Sequence, residues 1–221
     1  MKDQSDQEIN VKGVVLRARS DKTLYWPDRE TLFAADLHLG KGAAFRAGDI
    51  PIPEGTTEET LRILDAALSD TKAKRLIVLG DLWHSKAGRD EGTRKRFATW
   101  RAQHPNLEVR LIVGNHDAKS GPLENEGFQV DAELCCEGPF VYAHHPQAHP
   151  DGYVLCGHLH PGAVLVGRAR QSIKLPCFWF GQSFAVLPSL GAFTGCSAIR
   201  PLAGDRLIIV VDDRVVSMTA Q

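Results

Sequence analysis

An α/β fold of the αββα type, two mixed β-sheets packed face to face and flanked by helices, is the architecture this sequence predicts, on three observations. The first half alternates apolar strand-like runs with helical patterns, which implies parallel strands joined by crossover helices. From about residue 128 the texture changes to short strands divided by turns, which implies a β-rich, partly antiparallel second half. Five of the apolar runs end directly on Asp, Asn or His, and in layered α/β folds such residues gather outside the carboxyl ends of the strands.

The elements follow in order. Residues 1–10 are polar and read as a disordered tail, leaving 11–221 as one domain, a length well able to bury a core. Strands are expected at about 11–18 and 31–35. Thr56, with Glu59 three residues on, reads as a capping box ahead of Leu61, Leu64 and Leu68 on one helix face. Leu76 to Leu79 is a buried strand. Residues 90–103 set Phe97 and Trp100 on one side, with Arg94, Lys95 and Arg101 around them, as in a surface helix. Leu107 to Val113 is strand again, and turn signals at 203–205 and 212–213 divide the last strands.

Composition excludes more than it identifies. A formal net charge of -1 gives no overall cationic field to hold a polyanion by counterion release. Two basic clusters, Arg94-Lys95-Arg96 with Arg101 and Arg168-Ala-Arg170 with Lys174, read first as solvated faces. The 5 cysteines lack any Cys-x-x-Cys spacing and favour a reducing compartment. No apolar run approaches the ~20 residues that span a bilayer, and the polar start carries no secretory pattern. The expected location is cytoplasmic.

The strand tails carry the chemistry. They are Asp36-Leu-His38, Asp81, Asn115-His116-Asp117, His144 and His158-Leu-His160. Asp and His mix hard oxygen and borderline nitrogen donors, which suits Mn, Fe, Zn or Co. Seven ligands exceed what one octahedral ion needs once water and substrate bind, so two divalent ions are expected. Asp81, alone at its strand end, is the natural bridge; Asp36, His38 and His160 would complete one metal, and Asn115, His144 and His158 the other. With only Asp36 and Asp81 charged, a surplus of about two positive charges remains to hold a hydroxide and a phosphoester. Metals ~3.5 to 4 Å apart activate a bridging water for in-line attack. His116 follows a ligand directly and is left to lie over the phosphate, protonating the leaving group or stabilising transition-state charge. Asp117 would orient its ring or fix the turn. Lys41 would hold a nonbridging phosphate oxygen or stay solvated, and His84 would reach the site or cap its loop.

The ordered set Asp-x-His, Gly-Asp, Gly-Asn-His-Asp, His, Gly-His-x-His resembles the calcineurin-like metallophosphoesterase superfamily. That resemblance implies the two-sheet sandwich, the seven ligands named above and His116 as the catalytic histidine. His144-His145-Pro offers two candidates, and relatives with this tripeptide imply the first. The Asp-Arg-Gly of the protein phosphatases is absent after Asp81. Instead Asp36-Leu-His-Leu-Gly-Lys41-Gly-Ala-Ala-Phe-Arg46, the following Pro-Ile-Pro-Glu-Gly, Pro176-Cys-Phe-Trp and Leu187-Pro-Ser-Leu-Gly-Ala-Phe-Thr-Gly are similar to the bacterial ligase-associated DNA damage response endonucleases. This second resemblance implies a Mn-dependent phosphodiesterase acting on DNA in repair, alongside a DNA ligase and a helicase. The residues themselves specify phosphoester hydrolysis. A small-molecule phosphatase or cyclic-nucleotide phosphodiesterase fits the near-neutral charge, and a scaffold without catalysis would have no need of the full ligand set.

Overall fold

The computed structural model describes residues 6–123, 126–131, 134–167 and 171–220. The first sheet holds, in spatial as well as chain order, β1 (Asp6–Val11), β2 (Val14–Arg19), β3 (Leu24–Trp26), β4 (Thr31–Ala34), β5 (Arg75–Val78), β6 (Glu108–Ile112) and β7 (Gln129–Asp131). β1 to β4 pair antiparallel and β4 to β7 parallel. Parallel pairing needs crossovers, and these are α1 (Lys41–Ala47) with α2 (Thr56–Thr71) after β4, and α3 (Glu91–Gln103) after β5. β4 is buried along its whole length, as a central strand covered on both faces must be.

The second sheet contains β8 (Cys135–Glu137), β9 (Phe140–Tyr142), β10 (Tyr153–Cys156), β11 (Pro161–Val166), β12 (Ser172–Phe180), β13 (Phe184–Val186), β14 (Ser197–Ala198), β15 (Arg206–Val211) and β16 (Arg214–Thr219). β9, β10 and β13 run parallel, whereas β12 pairs antiparallel with β11, β13 and β15. The second half is thus mixed, as its texture implied. The interior joins Leu16, Phe33 and Ile77 of the first sheet to Phe140, Leu155 and Phe178 of the second.

All three α-helices among the described residues belong to the first sheet's side. Leu61, Leu64 and Leu68 of α2 and Phe97 and Trp100 of α3 pack on Leu32, Leu76, Val78 and Leu111, and α1 lies against α2. The outward residues of the second sheet, Val141, Val154, Cys156 and Val186, pack with Leu159, Trp179 and Phe184 instead of a helix.

Three expectations are corrected. The tail predicted over 1–10 is strand from Asp6, and residues 1–5 lie outside the described ones. Ile9 and Val11 alternate into the core while Lys12 and Gly13, both at positive φ, close a hairpin onto β2. An edge strand needs only two inward apolar residues, so its polarity was misleading, and the strand expected at 11–18 is two. The capping box does not form: Gly55 occupies the N-cap of α2 and Thr56 is already helical. Residues 41–47 are also helical, a segment too short to show a clear period in the sequence. Of the second basic cluster, 168–170 lie outside the described residues.

If β1 is part of the fold, Ile9→Ala should cost about 2–5 kcal/mol, as for a large-to-small change in a packed core. Urea unfolding measures it, and an unchanged midpoint would return residues 6–10 to the tail.

Candidate metal centre

The carboxyl ends of β4, β5 and β6 lie side by side, and so do those of β9 and β10. The two groups meet where Ala35 bridges Ser189, with Leu190 N–H donating to the Ala35 carbonyl at 2.9 Å. Each tail is then pinned by its neighbour. Asp36 N–H donates to Gly80 O at 3.1 Å, His38 N–H to Asp81 O at 2.9 Å, and His116 N–H to Asp81 Oδ1 at 2.8 Å. Two glycines make this approach possible. A Cβ on Gly80 would lie 2.0 Å from His144 Nδ1, and one on Gly114 would lie 2.2 Å from Asp81 Oδ1. Asp36, His38, Asp81, His158 and His160 all sit at positive φ, between 47° and 71°, so the strand tails curl inward at a conformational cost.

The seven predicted ligands converge. His38 Nε2 lies 3.2 Å from His160 Nε2, and His160 Nε2 lies 3.6 Å from Asp36 Oδ1. On the other side His144 Nε2 lies 3.0 Å from Asn115 Oδ1 and 3.2 Å from His158 Nδ1. Asp81 Oδ2 stands between the groups, 3.5 Å from His144 Nε2 and 4.0 Å from His38 Nε2, the position expected of a bridge. His144 Nδ1 donates to the Leu79 carbonyl at 3.0 Å, which turns the Nε2 lone pair inward. His145 is exposed, packs its ring on His144 and His158 and offers a donor atom within 4.8 Å of theirs, whereas His144 is buried and faces Asn115 and Asp81.

These donors fit a pair of cations. Asp36 is fully buried; its Oδ2 accepts His158 N–H at 2.9 Å, whereas Oδ1 has no hydrogen-bond partner. A buried carboxylate oxygen left so is costly unless a cation faces it. Burial, with the neighbouring histidines, holds His38 down to about 3, against the pull of Asp81, and keeps it a neutral donor. Burial opposes Asp81, but a hydrogen bond from the His144 ring when that ring is protonated on both nitrogens, together with the His116 N–H, holds it at about 2.

The residues predicted around the ligands divide. His116 Nδ1 donates to the His84 carbonyl at 2.6 Å, leaving Nε2 as its free nitrogen. His84 stacks on His116 at 5.1 Å between centroids and lies 3.5 Å from His38 through their Nδ1 atoms, so it does reach the site. Asp117 does not orient the His116 ring. Buried, it accepts from Trp83 N–H at 2.8 Å, Gly114 N–H at 3.1 Å and Leu82 N–H at 3.3 Å, and so ties the turns after β5 and β6. Lys41 opens α1; its N–H donates to His38 O at 3.1 Å and its half-buried ammonium faces the Phe45 ring, with burial lowering its pKa. Ser189 was missed: its hydroxyl donates to the Asp36 carbonyl at 2.7 Å. Its only sequence signal was the Pro-Ser-Leu-Gly run, to which no chemistry could be attached.

The sequence profile of the calcineurin-like phosphoesterase family matches residues 30–161. The crystal structure of nuclease MPE from Pseudomonas putida is similar at 38% identity and a TM-score of 0.84, covering 96% of this chain and 100% of that one. Yfce, a phosphoesterase from E. coli, aligns at 15% identity and a TM-score of 0.43 over 86% of this chain and 98% of its own. No curated protein matches.

Bound metal should stabilise the fold. For metal at 100 times its Kd the gain is about 2.7 kcal/mol, which at about 2–4 °C per kcal/mol for a chain of this size makes chelation lower Tm by about 5–10 °C. Thermal melts with and without chelator check this, and coincident melts would contradict a metal centre.

Proposed function

The chain belongs to the calcineurin-like phosphoesterase family, and from that premise we propose a dinuclear-metal phosphodiesterase that cuts nucleic acid as a DNA endonuclease. It is a metal-dependent phosphoesterase. The observation that carries the proposal is the convergence of Asp36, His38, Asp81, Asn115, His144, His158 and His160 in two groups on either side of Asp81 Oδ2, with one Asp36 oxygen unpartnered and His116 at the edge. The choice of a nucleic-acid diester is supported by the likeness to the Pseudomonas putida nuclease over nearly the whole chain.

Two divalent ions held there would supply an activated water and polarise the phosphoryl oxygens. The chain's own residues do the rest. Asp81, fixed by the His116 N–H, presents Oδ2 to both donor groups. His116 is held by the His84 carbonyl through Nδ1, so a proton carried on Nε2 can pass to the departing oxygen. Asp117 keeps His116 over the site by fixing its turn, a positioning role rather than a catalytic one. Lys41, held to the His38 carbonyl, is assigned to a nonbridging phosphate oxygen.

The donor set suits Mn, Fe, Zn or Co, and Mn is the reading taken from the subfamily resemblance. The same resemblance supports a place in DNA repair beside a DNA ligase and a helicase, in the cytoplasm. No helix among the described residues is long and apolar enough to cross a membrane.

With Mn supplied, the wild type should hydrolyse bis-p-nitrophenyl phosphate and nick plasmid DNA. His116→Ala should lose about 10²- to 10⁴-fold in turnover while still binding metal, and Asp81→Ala should lose both. Undiminished activity in these variants would refute the site. Fast hydrolysis of phosphomonoesters or cyclic nucleotides with DNA left intact would replace the nuclease reading by the small-molecule one.

A further inference from the structure

Beside the donor cluster the structure places an aromatic row, of which the chemistry above uses only the His84 carbonyl. It begins with His84 stacked on His116, continues to Phe45 of α1 at 5.9 Å from His84, and ends at Phe193, 6.3 Å from Phe45. Phe193 is 43% exposed, the aromatic ring among the exposed large hydrophobic side chains of the described residues. Its loop is not loose. Gly191 N–H donates to the Asp36 carbonyl at 3.2 Å, Ala192 N–H to Thr60 Oγ1 at 3.0 Å, and Ser197 N–H to the His160 carbonyl at 2.8 Å. The backbones of two ligands therefore hold an exposed ring at a fixed place on the rim. The Lys41 ammonium lies 6.0 Å from the Phe45 ring centroid, which sets a positive charge beside aromatic faces.

A charge and a ring face side by side match the two halves of a nucleotide. Every base has a π-face, so stacking binds without reading sequence. We propose that Phe193, backed by Phe45, is a nucleobase subsite on which the base flanking the cleaved phosphate stacks, while Lys41 takes a phosphate oxygen. This rests on the nuclease reading and assigns specificity to residues outside the ligand set.

The test uses the Mn-loaded full chain and two oligonucleotides that differ only by an abasic residue next to the cleaved phosphodiester. Phe193→Ala should lower kcat/KM on the intact strand about 5- to 100-fold, the range of one base-aromatic stack, and change the abasic strand less than twofold. Phe193→Trp should restore the intact-strand rate. An unshifted Tm in Phe193→Ala confirms that its fold is kept. Equal losses on both strands, or none on either, overturn the subsite while leaving the nuclease reading in place. No cleavage of either strand by the wild type overturns both.

Discussion

Asp36 is the joint on which the two sheets depend. It ends β4 in the first sheet, and its amide donates to Gly80 O beyond β5. Its carbonyl accepts Ser189 Oγ–H and Gly191 N–H beyond β13, and its Oδ2 accepts His158 N–H beyond β10. One residue thus ties both parallel groups at their carboxyl ends, where packing between sheets alone would let them splay. The same carboxylate faces the donor cluster through Oδ1. Fold and chemistry are therefore coupled: a change that shifts β4 against β10 also shifts the two halves of the ligand set.

That coupling explains why strain collects here. Five ligands hold left-handed backbone, a conformation that costs an L-residue of the order of 1–2 kcal/mol. Extended tails would carry the side chains past one another, whereas curled tails bring Asp36, Asp81 and the histidines within reach. The hydrogen bonds that Gly80, Asp81 and Asp36 accept from neighbouring tails hold the curl, and cation binding would offset the remaining repulsion between the two carboxylates. Asp117 supports this arrangement from below. Burial lifts its carboxyl to about 6 despite three N–H donors, so it opposes stability as pH rises from about 4 to 6, a cost set against the geometry it fixes.

Much of this was legible in the sequence because strand and ligand were contiguous. Apolar runs ending on Asp, Asn and His named the tails, and alternation with helices named the parallel strands that align them. What was not legible arises between segments. Ser189 matters only because β13 ends beside Asp36, 153 residues away in the chain. Asp117 was open between two roles because sequence does not say which backbone amides face a carboxylate. β1 was lost because an edge strand shows too few apolar residues, and the capping box because Gly55 supplies the turn before Thr56 can cap it.

The basic helix α3 bears on how a near-neutral protein would hold a polyanion. Arg96 pairs with Glu58, Arg94 with Glu126, and Arg101 donates to the carbonyls of Gly127, His104 and Leu107. These three arginines have partners within the protein, which reduces the field they offer to a distant strand. At the site itself, attraction would come from bound cations and from Lys41, two features only a few ångströms across. Few phosphates can be neutralised at once, so affinity should vary less with salt than in proteins that track a backbone over many contacts. The exposed ring of Phe193, on a loop fixed by the backbones of Asp36 and His160, offers an uncharged surface for contact with the rest of a substrate.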